Sequence, residues 1–393
     1  MNPAHRTVTG ARIPELDGLR GLAILLVACN HYFCFKSGPG NVFARNFLPL
    51  SWTGVDLFFV LSGFLIGGIL MDQRAAENYF RTFYLRRVCR IFPFYFLWLI
   101  LFFVASRLLS ADQSRGWYGW LFAQDFAKVP GWSFVLFLQN LFYAKTSLAG
   151  PLWLTVTWSL AVEEQFYLFL PVVVWFVPLR KLPHVLVPLI LLAPACRLFL
   201  YLFHPGIYPY VLLPCRLDTL LIGVLCAYGI RQKSFQGWLE RRPGRLYQAL
   251  GVLLAGAAYL SVFASGPYSF EMVFLGYTWM ALFYACLLLI AVAAKKSVMA
   301  GLMHFPPLCQ LGVISYGVYL IHASVNILMH GLILGKDVYM ESLADGAVTC
   351  LAAGVTLLIA TCSWRFFEKP IVRWGHSFSY TRKNPASKTP VAV

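Results

Sequence analysis

Ten apolar runs recur along the chain, at about 15–35, 52–71, 91–108, 158–178, 184–203, 209–230, 246–265, 271–294, 310–334 and 343–365, separated by polar stretches. Each can cross a hydrocarbon core of ~30 Å as an α-helix, which needs roughly 20 mostly apolar residues. The pattern predicts an all-α polytopic membrane bundle of about ten transmembrane helices with both ends on one side. The first run is not a cleavable signal: it is too long, holds Arg20, and lacks a small-residue cleavage site before the next hydrophilic loop. Residues 1–375 read as one membrane domain and 376–393 as a disordered tail, with no internal repeat and no second soluble domain.

Hydrophobic residues make up 59% of 393 and charged residues 12%, with a mean hydropathy of +0.68. That balance excludes an ordinary soluble domain. Of the 32 Lys and Arg, 22 fall on the side of the termini, six in the opposite loops and four within runs. By the positive-inside rule both termini are then cytoplasmic. Topology and anionic lipid explain the net charge of +16, so no nucleic-acid partner is expected. The ten Cys residues are scattered and mostly within runs. They suggest neither a disulfide framework nor a zinc site, and no metal is expected.

Charged groups inside such runs cost several kcal/mol unless paired or hydrated, which makes them functional candidates. The first run, LDGLRGLAILLVACNH, begins with Asp17 and Arg20 and closes on His31. Over the eleven positions from Arg20 to His31 an ideal helix turns through ~1100° and rises roughly 16 Å. Both side chains therefore share one stripe, half a bilayer apart. The structural alternative is an Arg that snorkels and a His satisfied by a neighbouring helix. In the second run, WTGVDLFFVLSGFLIGGIL, Asp56 lies near the outer end, where Thr53-x-x-Asp56 also reads as a capping box. Ser62 and Gly63 interrupt that run, as residues do where helices approach closely or line a cavity. Loop 72–90 ends in YLRRVCR, with Arg86, Arg87 and Arg90 at the mouth of the third run. These are either topology anchors or an anion site, Arg87 and Arg90 sharing a face at i, i+3.

The longest outer segment, about 109–157, is rich in aromatics (GWYGWLF, VPGWSFVLFLQNLFY). It suits a lid or a sugar-stacking surface, and an interfacial aromatic belt would look the same. The fourth run opens with WSLAVEEQFYLFLP, where Glu163 and Glu164 need partners. Arg197 in the fifth run and Arg216 and Asp218 in the sixth reach a similar depth when the runs alternate in direction. His31, Asp56, Glu163, Glu164, Arg197, Arg216 and Asp218 are thus expected to meet in one polar chamber in the outer half of the membrane. It is either a reactive site or a set of ion pairs that lock the bundle. His322, near the middle of the ninth run, reads as a helix-to-helix hydrogen bond or a further member of that chamber.

In order, ELDGLRGLAILLVACNH, GVDLFFVLSGFLI, FYLRRVCRIFP, WSLAVEEQFY, RLDTLLIG, SYGVYLIH and FEKP resemble the acyltransferase-3 family of integral membrane acyltransferases, which O-acylate carbohydrates and other acceptors. The resemblance covers nearly the whole chain. It implies ten helices, an acyl-CoA donor on the cytoplasmic side (acetyl-CoA foremost), a glycan acceptor outside, and a bacterial inner membrane. The family's Arg-x10-His pair falls on Arg20 and His31, and its cytoplasmic Arg-x-x-Arg on Arg87 and Arg90. Some relatives carry an appended esterase-like domain, which is not expected here.

The residues suit that chemistry. Acyl transfer from a thioester to a hydroxyl needs a base, an oxyanion stabiliser and a holder for the donor. Neutral His31 is the natural base, with Glu164 or Asp56 to orient it. Arg87 and Arg90 would hold coenzyme A phosphates, and Arg20 would line the route of the pantetheine arm. No Ser or Cys is placed as a nucleophile, which favours direct transfer over an acyl-enzyme. Two other readings stay open: a transporter or flippase, which buried charges also mark, and acylation of a small lipophilic acceptor such as a macrolide.

Overall fold

The computed structural model describes residues 13–34, 49–108, 121–122, 128–147, 150–204, 206–264, 266–293 and 298–381. Every apolar run is a helix, because in hydrocarbon only bonding within the segment satisfies all of its backbone N–H and C=O groups. Helix α1 (Pro14–Cys29) is prolonged by a π turn, Asn30–Cys34. The others are α2 (Gly54–Gln73), α3 (Tyr79–Leu108), α4 (Thr157–Phe176), α5 (Leu182–Phe203), α6 (Leu213–Gly229), α7 (Pro243–Phe263), α8 (Tyr277–Ala293), α9 (Ser315–Leu334) and α10 (Leu343–Ser363). No strand occurs among the described residues, and the protein is an all-α, multi-pass bundle.

Among the described residues nine helices are long and apolar enough to cross a membrane. The tenth, α1, carries Glu15, Asp17 and Arg20 in its first turns, which dilutes its hydropathy. Helix ends follow the predicted runs closely except at α3, which starts at Tyr79 rather than near 91. Leu and Arg are good helix formers, and nothing in YLRRVCR breaks the helix where it leaves the hydrocarbon. Arg86, Arg87 and Arg90 therefore stand on helix, not in a loop.

Helices α2 and α6 form the centre. A Cβ added at Gly63 would lie 1.8 Å from the Leu220 carbonyl oxygen, and one at Gly223 would lie 2.1 Å from that of Val60. Glycine on both sides is what lets the two backbones touch, a usual device between membrane helices. Helices α5 and α7 are peripheral, with Leu191, Leu202, Val252 and Val262 exposed where lipid tails would meet them.

Residues 109–120, 123–127 and 148–149, and with them most of GWYGWLF, lie outside the described residues; in the rest of the aromatic segment Phe134, Phe137 and Tyr143 pack inward while Trp132, Val135 and Leu136 are exposed. Its short helices Gly131–Val135 and Gln139–Thr146 are tied to the bundle: Tyr95 Oη donates to the Phe134 carbonyl (2.8 Å) and Gln139 Nε2 to that of Thr157 (2.9 Å). This part is wall, not a loose lid. The start of the expected tail is also ordered. Following the helix Lys369–Ser377, Phe378 accepts from Arg86 at 2.7 Å and Ser379 from Asn78 at 2.9 Å. Residues 382–393 lie outside the described residues.

Candidate active site

Two cavities lie in series along α1 with its π turn, α9, and the chain that runs from Leu152 into α4. The first, of about 840 Å³, is lined by Arg20, Ser62, Arg87, Arg90, Glu163, Tyr316 and Tyr319 among others. The second, of about 470 Å³, holds His31 with Thr155, Val156, Asn326 and Val338. Helix α1 gives Arg20 to the first and His31 to the second, and α9 gives Tyr316 and Tyr319 to the first and Ala323 and Asn326 to the second.

Arg87 and Arg90 share one face of α3 and both look into the first cavity. The Arg90 guanidinium lies 4.9 Å from the Trp364 ring centroid and 5.9 Å from that of Tyr316, while the buried Nε of Arg87 has no hydrogen-bond partner among the described residues. Arg86 turns away, donating to Phe378 and lying 5.0 Å from the Tyr380 ring. The cluster thus divides into two cavity residues and one anchor. Arg20 is about a third exposed (36%) and 3.8 Å from Asp17. Glu163 accepts a hydrogen bond from Ser62. Three arginines against one carboxylate make the lining positive, as suits a phosphate-bearing ligand.

His31 sits on the π turn that ends α1, and such turns gather at functional sites. Nδ1 of His322 is 2.7 Å from the Tyr319 carbonyl oxygen and 3.0 Å from that of Val318. Carbonyls only accept, so this nitrogen carries the proton and Nε2 of His322 is an acceptor. His31 Nδ1 lies 3.0 Å from that Nε2 and 3.1 Å from the Val27 carbonyl. Facing two acceptors, Nδ1 of a neutral His31 carries its proton too, and Nε2 becomes the basic nitrogen.

Orienting His31 was expected of Asp56 or Glu164, and neither hydrogen-bonds it. Asp56 is fully buried and accepts from Arg216 Nη2 instead. No capping box forms either, because the Thr53 hydroxyl donates to the Leu50 carbonyl at 2.6 Å. Arg197 is likewise fully buried, held by Asp218 (2.9 Å), the Cys215 carbonyl (2.6 Å) and Thr278 (2.7 Å). The expected single chamber is therefore three places: Glu163 in the arginine cavity, His31 with His322, and two ion pairs that tie α2 to α6 and α5 to α6 and α8. Azimuth separates residues that the sequence places at one depth. Glu163 and Glu164 differ by ~100° on a helix, and only Glu163 faces the cavity.

Sequence reasoning passed over Ser159, Tyr319 and Asn326. A signal existed: Ser315, Tyr319, His322 and Asn326 are spaced i, i+4, i+7 and i+11, a polar stripe on the otherwise apolar α9.

A family profile described as an acyltransferase domain matches residues 13–365. The chain is 29% identical to YrhL of Bacillus subtilis, provisionally named a peptidoglycan O-acetyltransferase, over 95% of this chain and 57% of that protein. Identity to the peptidoglycan O-acetyltransferase OatA of Listeria monocytogenes is 26%, covering 92% and 56%. Identity to the O-acetyltransferase OatA of Staphylococcus aureus is 25%, covering 97% and 61%. The chain thus spans less than two thirds of the length of these relatives. No solved structure matches it.

Proposed function

The chain belongs to this acyltransferase family, and from that premise we propose that it transfers an acyl group, acetyl foremost, from cytoplasmic acyl-CoA to a hydroxyl of an extracytoplasmic carbohydrate. The relatives' names point to acetyl and to peptidoglycan. The division of basic residues supports cytoplasmic termini in a bacterial inner membrane. The observation that carries the reading is the series arrangement of the arginine cavity and the His31 pocket along α1 with its π turn, α9, and the chain that runs from Leu152 into α4.

Arg87 and Arg90 hold the donor's phosphates in bidentate pairs, and Arg20 lines the way inward. The acceptor hydroxyl gives its proton to His31 Nε2 while its oxygen forms a bond to the thioester carbonyl carbon. As the tetrahedral species collapses, the C–S bond breaks and the leaving thiolate takes the proton back from His31. The products are an ester and the free thiol of coenzyme A. Between these steps the imidazolium is steadied through its Nδ1–H by His322 and the Val27 carbonyl, the part a carboxylate plays in a catalytic triad.

Proteoliposomes of defined orientation test the reading. With acetyl-CoA only at the cytoplasmic face and a membrane-impermeant glycan only at the outer face, acetylated glycan should form. Product only when both share the cytoplasmic face would refute transfer across the membrane.

A further inference from the structure

Asn326 lies one turn beyond His322 on α9, is 2% exposed, and lines the cavity that holds His31. Its Oδ1 is buried and has no hydrogen-bond partner among the described residues. A buried carbonyl oxygen without a donor weakens the fold, and native proteins leave few of them. Among the described residues the other side chains lining this cavity are aliphatic except His31 and Thr155, whose hydroxyl donates to the Pro151 carbonyl at 2.9 Å. No lining side chain among the described residues supplies the missing donor. A molecule that brings hydroxyl groups beside the His31 ring does.

Resting on the function proposed above, we propose that Asn326 binds the acyl acceptor, its Oδ1 accepting a hydrogen bond from one hydroxyl while a neighbouring hydroxyl gives its proton to His31. The amide Nδ2 supplies a donor for a further acceptor oxygen. Such a site takes a polyhydroxylated molecule, with two hydroxyls spanning two side chains, in preference to the lone alcohol of a lipophilic one. Sites built to pair with a substrate hydroxyl reject analogues that lack it, because the protein group is then left unpaired.

Asn326→Leu replaces the unpaired amide by an aliphatic group of the same branched shape. In the purified full chain its thermal midpoint should match or exceed the parent's, since an unsatisfied polar group has been removed. Its KM for soluble peptidoglycan glycan chains should rise about tenfold or more, with KM for acetyl-CoA unchanged, the mark of lost acceptor binding. Asn326→Ala should give the same split of KM values and serves if the Leu variant does not fold. An unchanged acceptor KM, or a rise confined to acetyl-CoA, would overturn the assignment. So would a lowered midpoint in Asn326→Leu, by making Asn326 a packing residue. The parent and His31→Ala, assayed alongside, keep the two proposals apart. If the parent forms no ester from acetyl-CoA, the functional reading fails and takes this one with it. If the parent turns over, His31→Ala does not, and Asn326→Leu keeps the parent's acceptor KM, this inference alone fails.

Discussion

Asp56 was expected beside the reacting groups, and the structure gives it a different partner that makes a quantitative prediction. Asp56 and Arg216 are both fully buried and bonded to each other, and Nε and Nη1 of Arg216 have no hydrogen-bond partner among the described residues. Removing Asp56 would leave the guanidinium with the Tyr277 ring, 4.2 Å away, and the more distant rings of Phe59 and Tyr210. Truncating one member of a buried pair costs about 3–5 kcal/mol, and the cation–π contacts, already made in the parent, do not offset it. Asp56→Ala should therefore lose about 3–5 kcal/mol. Replacing both partners, as in Asp56→Leu with Arg216→Met, should recover most of it, because an apolar pair avoids the desolvation of two charges. The assay is the thermal midpoint of detergent-solubilised protein followed by Trp fluorescence at a fixed scan rate, since unfolding of such proteins is often irreversible. If Asp56→Ala unfolds at the parent's temperature yet transfers no acyl group, the ion-pair account is wrong and Asp56 belongs to the chemistry.

His322→Leu should lower kcat by about a hundredfold or more, as loss of tautomer control does in a triad, with KM values for both substrates unchanged. An unchanged kcat in steady-state assays would mean that another group fixes the His31 ring. Arg87→Ala and Arg90→Ala should raise KM for acyl-CoA more than they lower kcat, whereas Arg86→Ala should leave donor KM alone. Equal donor affinity in all three variants would return Arg87 and Arg90 to the anchor role. Gly63→Leu should prevent accumulation of folded protein, because even its Cβ would lie 1.8 Å from the Leu220 carbonyl oxygen; parental stability would refute the α2–α6 contact. In intact cells, cysteine at Lys145 should react with an impermeant reagent and cysteine at Arg241 should not, and the reverse would invert the topology.

The spans were legible because hydrocarbon leaves a chain few options: an apolar run of sufficient length must be a helix. The start of α3 was not, since hydropathy ends with the bilayer while YLRRVCR goes on being helical beyond it. The same limit explains the site. Depth follows from residue number at ~1.5 Å per residue, so the placement of Arg20 against His31 could be read. Which neighbour each side chain meets depends on how ten helices turn about their axes. That is set by contacts such as Gly63 on Leu220, far apart in sequence. Asp56 thus found Arg216, and His31 meets His322, which hydropathy alone presents as one polar residue in an apolar helix. The π turn under His31 left no signal, because it differs from an α turn by a single residue of register.

Tyr319 marks the point where the two cavities are kept apart. Its hydroxyl lies 2.5 Å from Ser159 Oγ and 3.2 Å from the Val156 carbonyl, and its ring meets Phe58 edge-on at 5.9 Å. Tyr319 and Ser159 line the arginine cavity and Val156 lines the His31 pocket, so an acyl group handed between the two must displace this wall. Breaking two neutral hydrogen bonds at ~1 kcal/mol each and one aromatic contact at about 1 kcal/mol costs roughly 3 kcal/mol. A turnover of ~10 s⁻¹ corresponds to a barrier of about 16 kcal/mol. The wall can therefore open in every cycle without setting the rate.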